Sequence, residues 1–389
     1  MHPGKSKKKK NARMGRRELL KSVAVVTGGY ATALPFLGPG GWPMTVEAAS
    51  ATADPLRYES VSEGSDSLAK IKTGQRIDVH QHAILPEYLK ALERSGIVEN
   101  SQLKTKVFTP ESILDVAGEL GMDCVVLLPF SSSGIHHGND ENARYLTQAT
   151  NDAMAKLSSN SPKKIGFYAI VPLPDIDGAL KQMEYALDSL HADGIALLST
   201  QNGVYMGDSA FREVYAEMSR RSAVVFIHPA RPTYALPLKL GPSLIEYTFE
   251  TTRVAVNLIY NDIVPRYPNI KWILAHAGGT LPYVAERLKV LQGEDSQKPS
   301  FLERVPAGYA PYLKQFYYDV ATAGGRVTIS ALTELADPSH IFYGSDWPYV
   351  MKEEIAQQVI NCREAPQFAG RRLEAMERKN ATVLFKRFV

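Results

Sequence analysis

The chain reads as an α/β protein folded into a (β/α)8 barrel, and three observations predict this. Eight short runs rich in β-branched or aromatic residues alternate with longer amphipathic stretches from Gln75 onward. Several of those runs close on a histidine or an aspartate, the position at which barrel enzymes place their chemistry. No Gly-rich phosphate fingerprint follows the first run, which disfavours an open nucleotide-binding sheet.

Taken in order, the strands are expected over 76–82, 124–130, 165–173, 194–200, 223–229, 271–277, 316–321 and 340–346. Amphipathic spacing places helices over 139–156, 176–191, 209–221, 244–266 and 280–291. Two longer connections, 87–111 and 292–315, are candidate lids or subunit contacts.

Ahead of the barrel the composition changes. Lys5, Lys7 to Lys10, Arg13, Arg16, Arg17 and Lys21 precede a mildly apolar stretch and then small residues around Ala48 to Ala53, the order of a signal peptide. The run GRRELLK, Gly15 to Lys21, resembles a twin-arginine export signal, although Gly15 and Leu19 depart from the usual pattern, and Met14 is an equally good start. Residues 1–53 are therefore expected to be such a signal, 54–74 a polar N-terminal arm, and 75–389 a single catalytic domain. The protein is expected outside the cytoplasm, or within it if the signal reading fails. No stable membrane anchor is expected after cleavage, because Gly and Pro interrupt an apolar run shorter than the roughly 20 residues of a spanning helix.

Charge supports no nucleic-acid partner. Residues 1–50 hold nine Lys and Arg against Glu18 and Glu47, so their net +7 exceeds the whole-chain +3 and leaves the remainder near −4. No basic stripe with interleaved aromatics follows. The two cysteines, Cys124 and Cys362, are far apart in sequence and read as structural thiols.

The chemistry is carried by DVHQH, with His80 and His82, by His228 in FIHPA, by His276 in LAHAGG and by Asp346 in YGSDWP. Two histidines at i and i+2 of a strand share a face. With an imidazole and a carboxylate from other strands, they make a nitrogen and oxygen site suited to zinc or a similar divalent metal. His80, His82, His228 and Asp346 are taken as ligands, which leaves a position open for water or substrate and His276 as a spare general acid or base. The fourth strand ends LLST with no lysine to bridge a second metal. Asp78, two residues deeper than His80, is a candidate for orienting a ligand histidine. His136 and His137 read as a solvated loop, and Tyr205, Tyr234 and Trp347 as loop packing that is able to stack on an aromatic ring.

These motifs resemble the amidohydrolase-related metal-dependent decarboxylases, the group of aminocarboxymuconate-semialdehyde and resorcylate-type decarboxylases. The resemblance runs from Arg76 to Phe388 through FETTRVAVNLI (Phe249 to Ile259), PNIKWILAHAGGTLPYVAERL (Pro268 to Leu288) and NATVLF (Asn380 to Phe385). LPDIDGAL and GIALLST are most similar to the branch acting on 6-methylsalicylate-like hydroxybenzoates. It implies a TIM barrel of the metal-dependent hydrolase type, one zinc or manganese held by His80, His82, His228 and Asp346, a homodimer, a small-molecule carboxylate substrate, and Arg287 holding that carboxylate, in some members from across the dimer interface. The segment Glu111 to Leu120 lacks the second substrate arginine of the semialdehyde enzyme, which favours a ligand with one carboxylate. The implied activity is nonoxidative decarboxylation. Hydrolysis of a lactone or amide is the alternative, because the same ligands serve both reactions.

Overall fold

The computed structural model describes residues 64–71, 75–94, 108–129, 140–201, 203–232, 240–293 and 300–389. The twin-arginine-like segment, His136, His137 and Tyr234 lie outside the described residues.

Eight strands run in the order of the chain: β1 (Arg76–His82), β2 (Met122–Leu128), β3 (Ile165–Ala169), β4 (Gly194–Leu198), β5 (Val224–His228), β6 (Lys271–Leu274), β7 (Tyr317–Asp319) and β8 (Ile341–Phe342). Each pairs in parallel with the next. A parallel bridge between Gln81 and Trp347 joins the last connection back to β1, and Val79 N–H donates to Tyr343 O at 3.1 Å beside it. The predicted barrel is therefore present, with its seam between the first and eighth strands.

The main helices on the outside are α1 (Gly64–Ile71), α2 (Pro86–Arg94), α3 (Pro110–Glu119), α4 (Glu141–Ser159), α5 (Ile176–Glu184), α6 (Arg212–Arg220), α7 (Glu246–Tyr260), α8 (Leu281–Leu291), α9 (Arg326–Leu335) and α10 (Lys352–Glu364). Side-chain caps start several of them: Thr109 in a capping box before α3, Asp140 before α4 and Asp175 before α5. The segment expected to be one helix over 244–266 divides at Asn261 and Asp262, where Asp262 takes a φ of +64° and a separate turn, Ile263–Arg266, follows. The arm read as polar carries α1, whose Ile71 is fully buried and whose contacts fall on α10. None of the described helices is long and apolar enough to cross a membrane.

Several strands stop earlier than their apolar runs suggest, and each early stop has a local cause. After β3 the side chain of Asn151 on α4 replaces the ladder, accepting from Ile170 N and donating to Ile170 O, both at 2.9 Å. After β6 the chain turns left-handed at His276, Ala277, Gly278 and Gly279. A Cβ on Gly279 would lie 1.9 Å from Thr248 O, so only glycine fits there. After β8, Gly344 lets the chain approach β1, since a Cβ there would sit 3.0 Å from the Cβ of His80. The first strand also departs from regular pairing between Asp78 and Gln81, an irregularity that brackets His80.

The core is mostly apolar, and at the base of the first strand it holds a buried cation. Arg76 is fully buried at the start of β1, donating to Ile71 O at 2.6 Å and Leu120 O at 2.7 Å and pairing with Glu377 at 3.1 Å. A buried cation is tolerated because its guanidinium finds carbonyls and a carboxylate together. Arg76 thereby ties α1, the turn after α3 and the C-terminal segment to the base of the first strand.

Candidate metal centre

The strand ends bring five of the predicted site residues to one point. His80 and His82 are fully buried, and His228, His276 and Asp346 are 3%, 7% and 8% exposed. One ligand atom from each of His80, His228, His276 and Asp346 lies within 4.8 Å of the other three. His82 stands beside them, its Nε2 3.3 Å from Asp346 Oδ1. His276 Nε2 lies 3.3 Å from the other oxygen, Oδ2, and His80 Nε2 lies 3.4 Å from Oδ1. Asp346 is therefore shared by three imidazoles, His80 and His82 at Oδ1 and His276 at Oδ2, and the compact four-residue set contains His276, expected as the spare base, while His82, expected as a ligand, stands beside it.

Backbone geometry concentrates here. His276 and Asp346 adopt φ values of +57° and +59°, a region that residues with side chains seldom occupy. Both are pinned from outside: His276 N–H donates to Asp319 Oδ1 at 3.1 Å, and Asp346 N–H donates to His80 O at 2.7 Å.

Asp319 was not singled out in the sequence. It closes β7, is fully buried, and its Oδ2 accepts from His80 Nδ1 at 2.9 Å while its Oδ1 accepts from His276 N–H and from Ala321 N–H. It thus orients the His80 ring, the part expected of Asp78. Asp78 works one layer deeper: its carboxylate accepts from His80 N–H and Ser345 N–H, each at 3.0 Å, and from the Ser345 hydroxyl at 2.5 Å. Asp78 fixes backbone on both sides of the seam, and burial pushes its pKa up to about 6. The signal for Asp319 was a carboxylate closing the seventh apolar run in YYDV, at the same level as the histidines of its neighbours.

The electrostatics favour a bound positive charge. Burial opposes charge on His80, but the carboxylates of Asp319 and Asp346 outweigh it and push the pKa up to about 10. Burial would raise the pKa of Asp346, yet the charge of His80 and bonds from the imidazoles hold it well below the usual carboxylate range. Burial and the neighbouring imidazoles keep His228 well below the ordinary histidine value, so it is neutral with a lone pair to offer. His228 Nδ1 donates to Pro229 O at 3.0 Å, and His80 Nδ1 is occupied by Asp319, which leaves Nε2 of each ring facing the cluster. His80 Nε2 and Asp346 Oδ1 are buried and face each other at 3.4 Å, with no well-formed hydrogen bond to satisfy either. These imidazole nitrogens and carboxylate oxygens could together hold a divalent cation.

Aromatic rings border the cluster. Tyr349, 39% exposed, meets His82 edge-on at 4.8 Å, and Tyr247 lies 6.4 Å from His228. Trp347 packs edge-on against Phe108, and the Tyr205 hydroxyl donates to Glu250. Arg287 is placed elsewhere: exposed on α8, it borders an outer groove with Tyr260, Phe301 and Tyr309.

Comparison with known proteins gives a consistent set. The amidohydrolase family model matches residues 77–387. A 6-methylsalicylic acid decarboxylase of Penicillium expansum is 32% identical over 307 residues, covering 77% of this chain and 94% of that protein. The decarboxylase yanB of Aspergillus niger is 35% identical over 329 residues, covering 80% and 88% of the two chains. Among solved structures, an amidohydrolase II crystal structure matches with a TM-score of 0.72 at 26% identity, over 80% of this chain and 100% of that one.

If Asp319 sets the orientation of His80, replacing it with asparagine should weaken divalent-metal affinity by roughly 10- to 100-fold. Zinc titration against a competing chelator measures this, and wild-type affinity in Asp319→Asn would remove Asp319 from the account.

Proposed function

The chain belongs to the amidohydrolase family, and from that premise we propose that it is a metal-dependent nonoxidative decarboxylase of a hydroxy-substituted aromatic carboxylic acid resembling 6-methylsalicylate. The observation that carries this reading is the buried cluster of imidazoles around Asp346 at the barrel mouth, in a chain about one-third identical to decarboxylases across most of their length. Fold alone would not decide the reaction.

Zinc is the first candidate for the metal and manganese the second, since imidazole nitrogen and carboxylate oxygen donors suit both. When bound, the cation supplies a Lewis acid for a substrate carboxylate and its ortho hydroxyl. The proposed ligands are His80, His82, His228 and Asp346.

Loss of carbon dioxide breaks the bond from the ring carbon to the carboxylate carbon, leaves the electron pair on the ring carbon, and requires one proton there. The pair formed by His276 Nε2 and Asp346 Oδ2 is the proposed proton source. Its two groups are largely buried at the mouth, which limits solvent competition for the proton they would deliver. Tyr349 and Tyr247, bordering His82 and His228, are placed to flank a flat ring. Arg287, remote on α8, is proposed to reach a substrate carboxylate only from a second copy of the chain. Export rests on the Arg16 and Arg17 pattern alone.

Metal-loaded protein incubated with hydroxybenzoates in deuterated water should release carbon dioxide and place deuterium on the carbon that lost the carboxylate. Inert hydroxybenzoates, together with acid release from a lactone or amide, would replace this reading with hydrolysis. His276→Ala should keep its metal while turnover falls roughly 10²-fold or more. Parallel loss of metal and turnover would place His276 among the ligands instead.

A further inference from the structure

Beside the mouth, where β4 ends against α7, lies a buried polar cluster that the decarboxylation reading does not use. Glu250 on α7 is fully buried, as is Ser199 just past the end of β4. Glu250 accepts from Arg253 at 2.7 Å, from the Tyr205 hydroxyl at 2.9 Å and from the Ser199 hydroxyl at 3.3 Å. A fully buried carboxylate is costly unless its partners are fixed, so the cluster holds Ser199 Oγ in one place.

Ser199 in turn grips the segment that carries His228 at two points. Its N–H donates to His228 O at 2.9 Å, and its Oγ accepts from Ala230 N–H at 2.9 Å. A serine hydroxyl has one proton and two lone pairs, so it donates to Glu250 and accepts from Ala230 at the same time. The N–H of Ala230 and the C=O of Pro229 belong to one planar peptide unit. Fixing the N–H therefore fixes the direction of that carbonyl, and the same carbonyl accepts from His228 Nδ1 at 3.0 Å.

We propose that Ser199 and Glu250 are positioning residues for His228: through the Pro229–Ala230 peptide they hold its ring in the tautomer protonated at Nδ1, with Nε2 directed at the metal cluster. The end of β4, which offers no side chain to the cation itself, contributes by this indirect route. The importance of His228 as a ligand rests on the metal reading above, whereas the tautomer claim concerns the chain alone.

The test uses metal-free full-length protein labelled with nitrogen-15. Long-range proton–nitrogen spectra should show His228 as a single Nδ1-protonated form in the wild type, and a mixture of tautomers in Ser199→Ala. Zinc affinity, measured by chelator competition, should fall roughly 10-fold or more in the variant, the usual scale for groups that orient a ligand histidine. Circular dichroism and thermal melting establish that the variant is folded. Should Ser199→Ala not fold, Ser199→Cys fills a similar volume with a poor hydrogen-bonding group and carries the same expectation. A folded variant with one His228 tautomer and wild-type zinc affinity would overturn the relay. Wild-type protein that takes up no zinc or manganese would sink the metal reading, and the spectra of metal-free protein would still decide the tautomer claim.

Discussion

The barrel mouth depends on one carboxylate, Asp319, which joins two things that would otherwise be independent. It orients the ring of His80 through Nδ1 and anchors the strained backbone of His276 through its N–H. Without the first bond, His80 Nδ1 would lose its buried acceptor; without the second, the left-handed His276 would lose the side-chain anchor of its N–H. Its carboxylate stands with that of Asp346 on either side of His80, so two buried acidic groups face the imidazole cluster.

A nested arrangement follows from this. Asp346 lies among three imidazoles, Asp319 stands behind His80, and Asp78 braces the backbone of His80 and Ser345 where the eighth connection meets the first strand. Gly344 permits that approach. The barrel closes at the seam by bonds made from the very residues that flank the site, including Asp346 N–H to His80 O and His82 N–H to Trp347 O. Closure of the fold and assembly of the site are thus the same set of contacts, which ties the geometry of the cluster to the integrity of the barrel.

Much of this was legible in the chain because the residues concerned end apolar runs. His80, His82, His228, His276 and Asp346 stand out for being histidine or aspartate where a parallel strand needs none, and the structure brings all five together. Strand limits were legible where only burial decided them, as at Arg76 and His82, and failed where a side chain or a turn intervened, as with Asn151 beside Ile170. Asp319 escaped notice because its value lies in which two groups it reaches, and those are 239 and 43 residues away in sequence. Arg76 escaped for the opposite reason, since arginine at a strand start normally reads as solvent-facing, whereas here carbonyls from two connections enclose it. Arg287 was named through resemblance, and a single chain places it on an outer groove.

One cation is proposed to sit among these side chains, centred on Asp346. Anomalous diffraction from crystals grown with manganese or zinc tests it most directly. The account predicts one strong peak per chain, within about 2.0–2.3 Å of Asp346 and of Nε2 of His80 and His228. Two peaks in the mouth, or a single peak bonded to neither His80 nor Asp346, would contradict it.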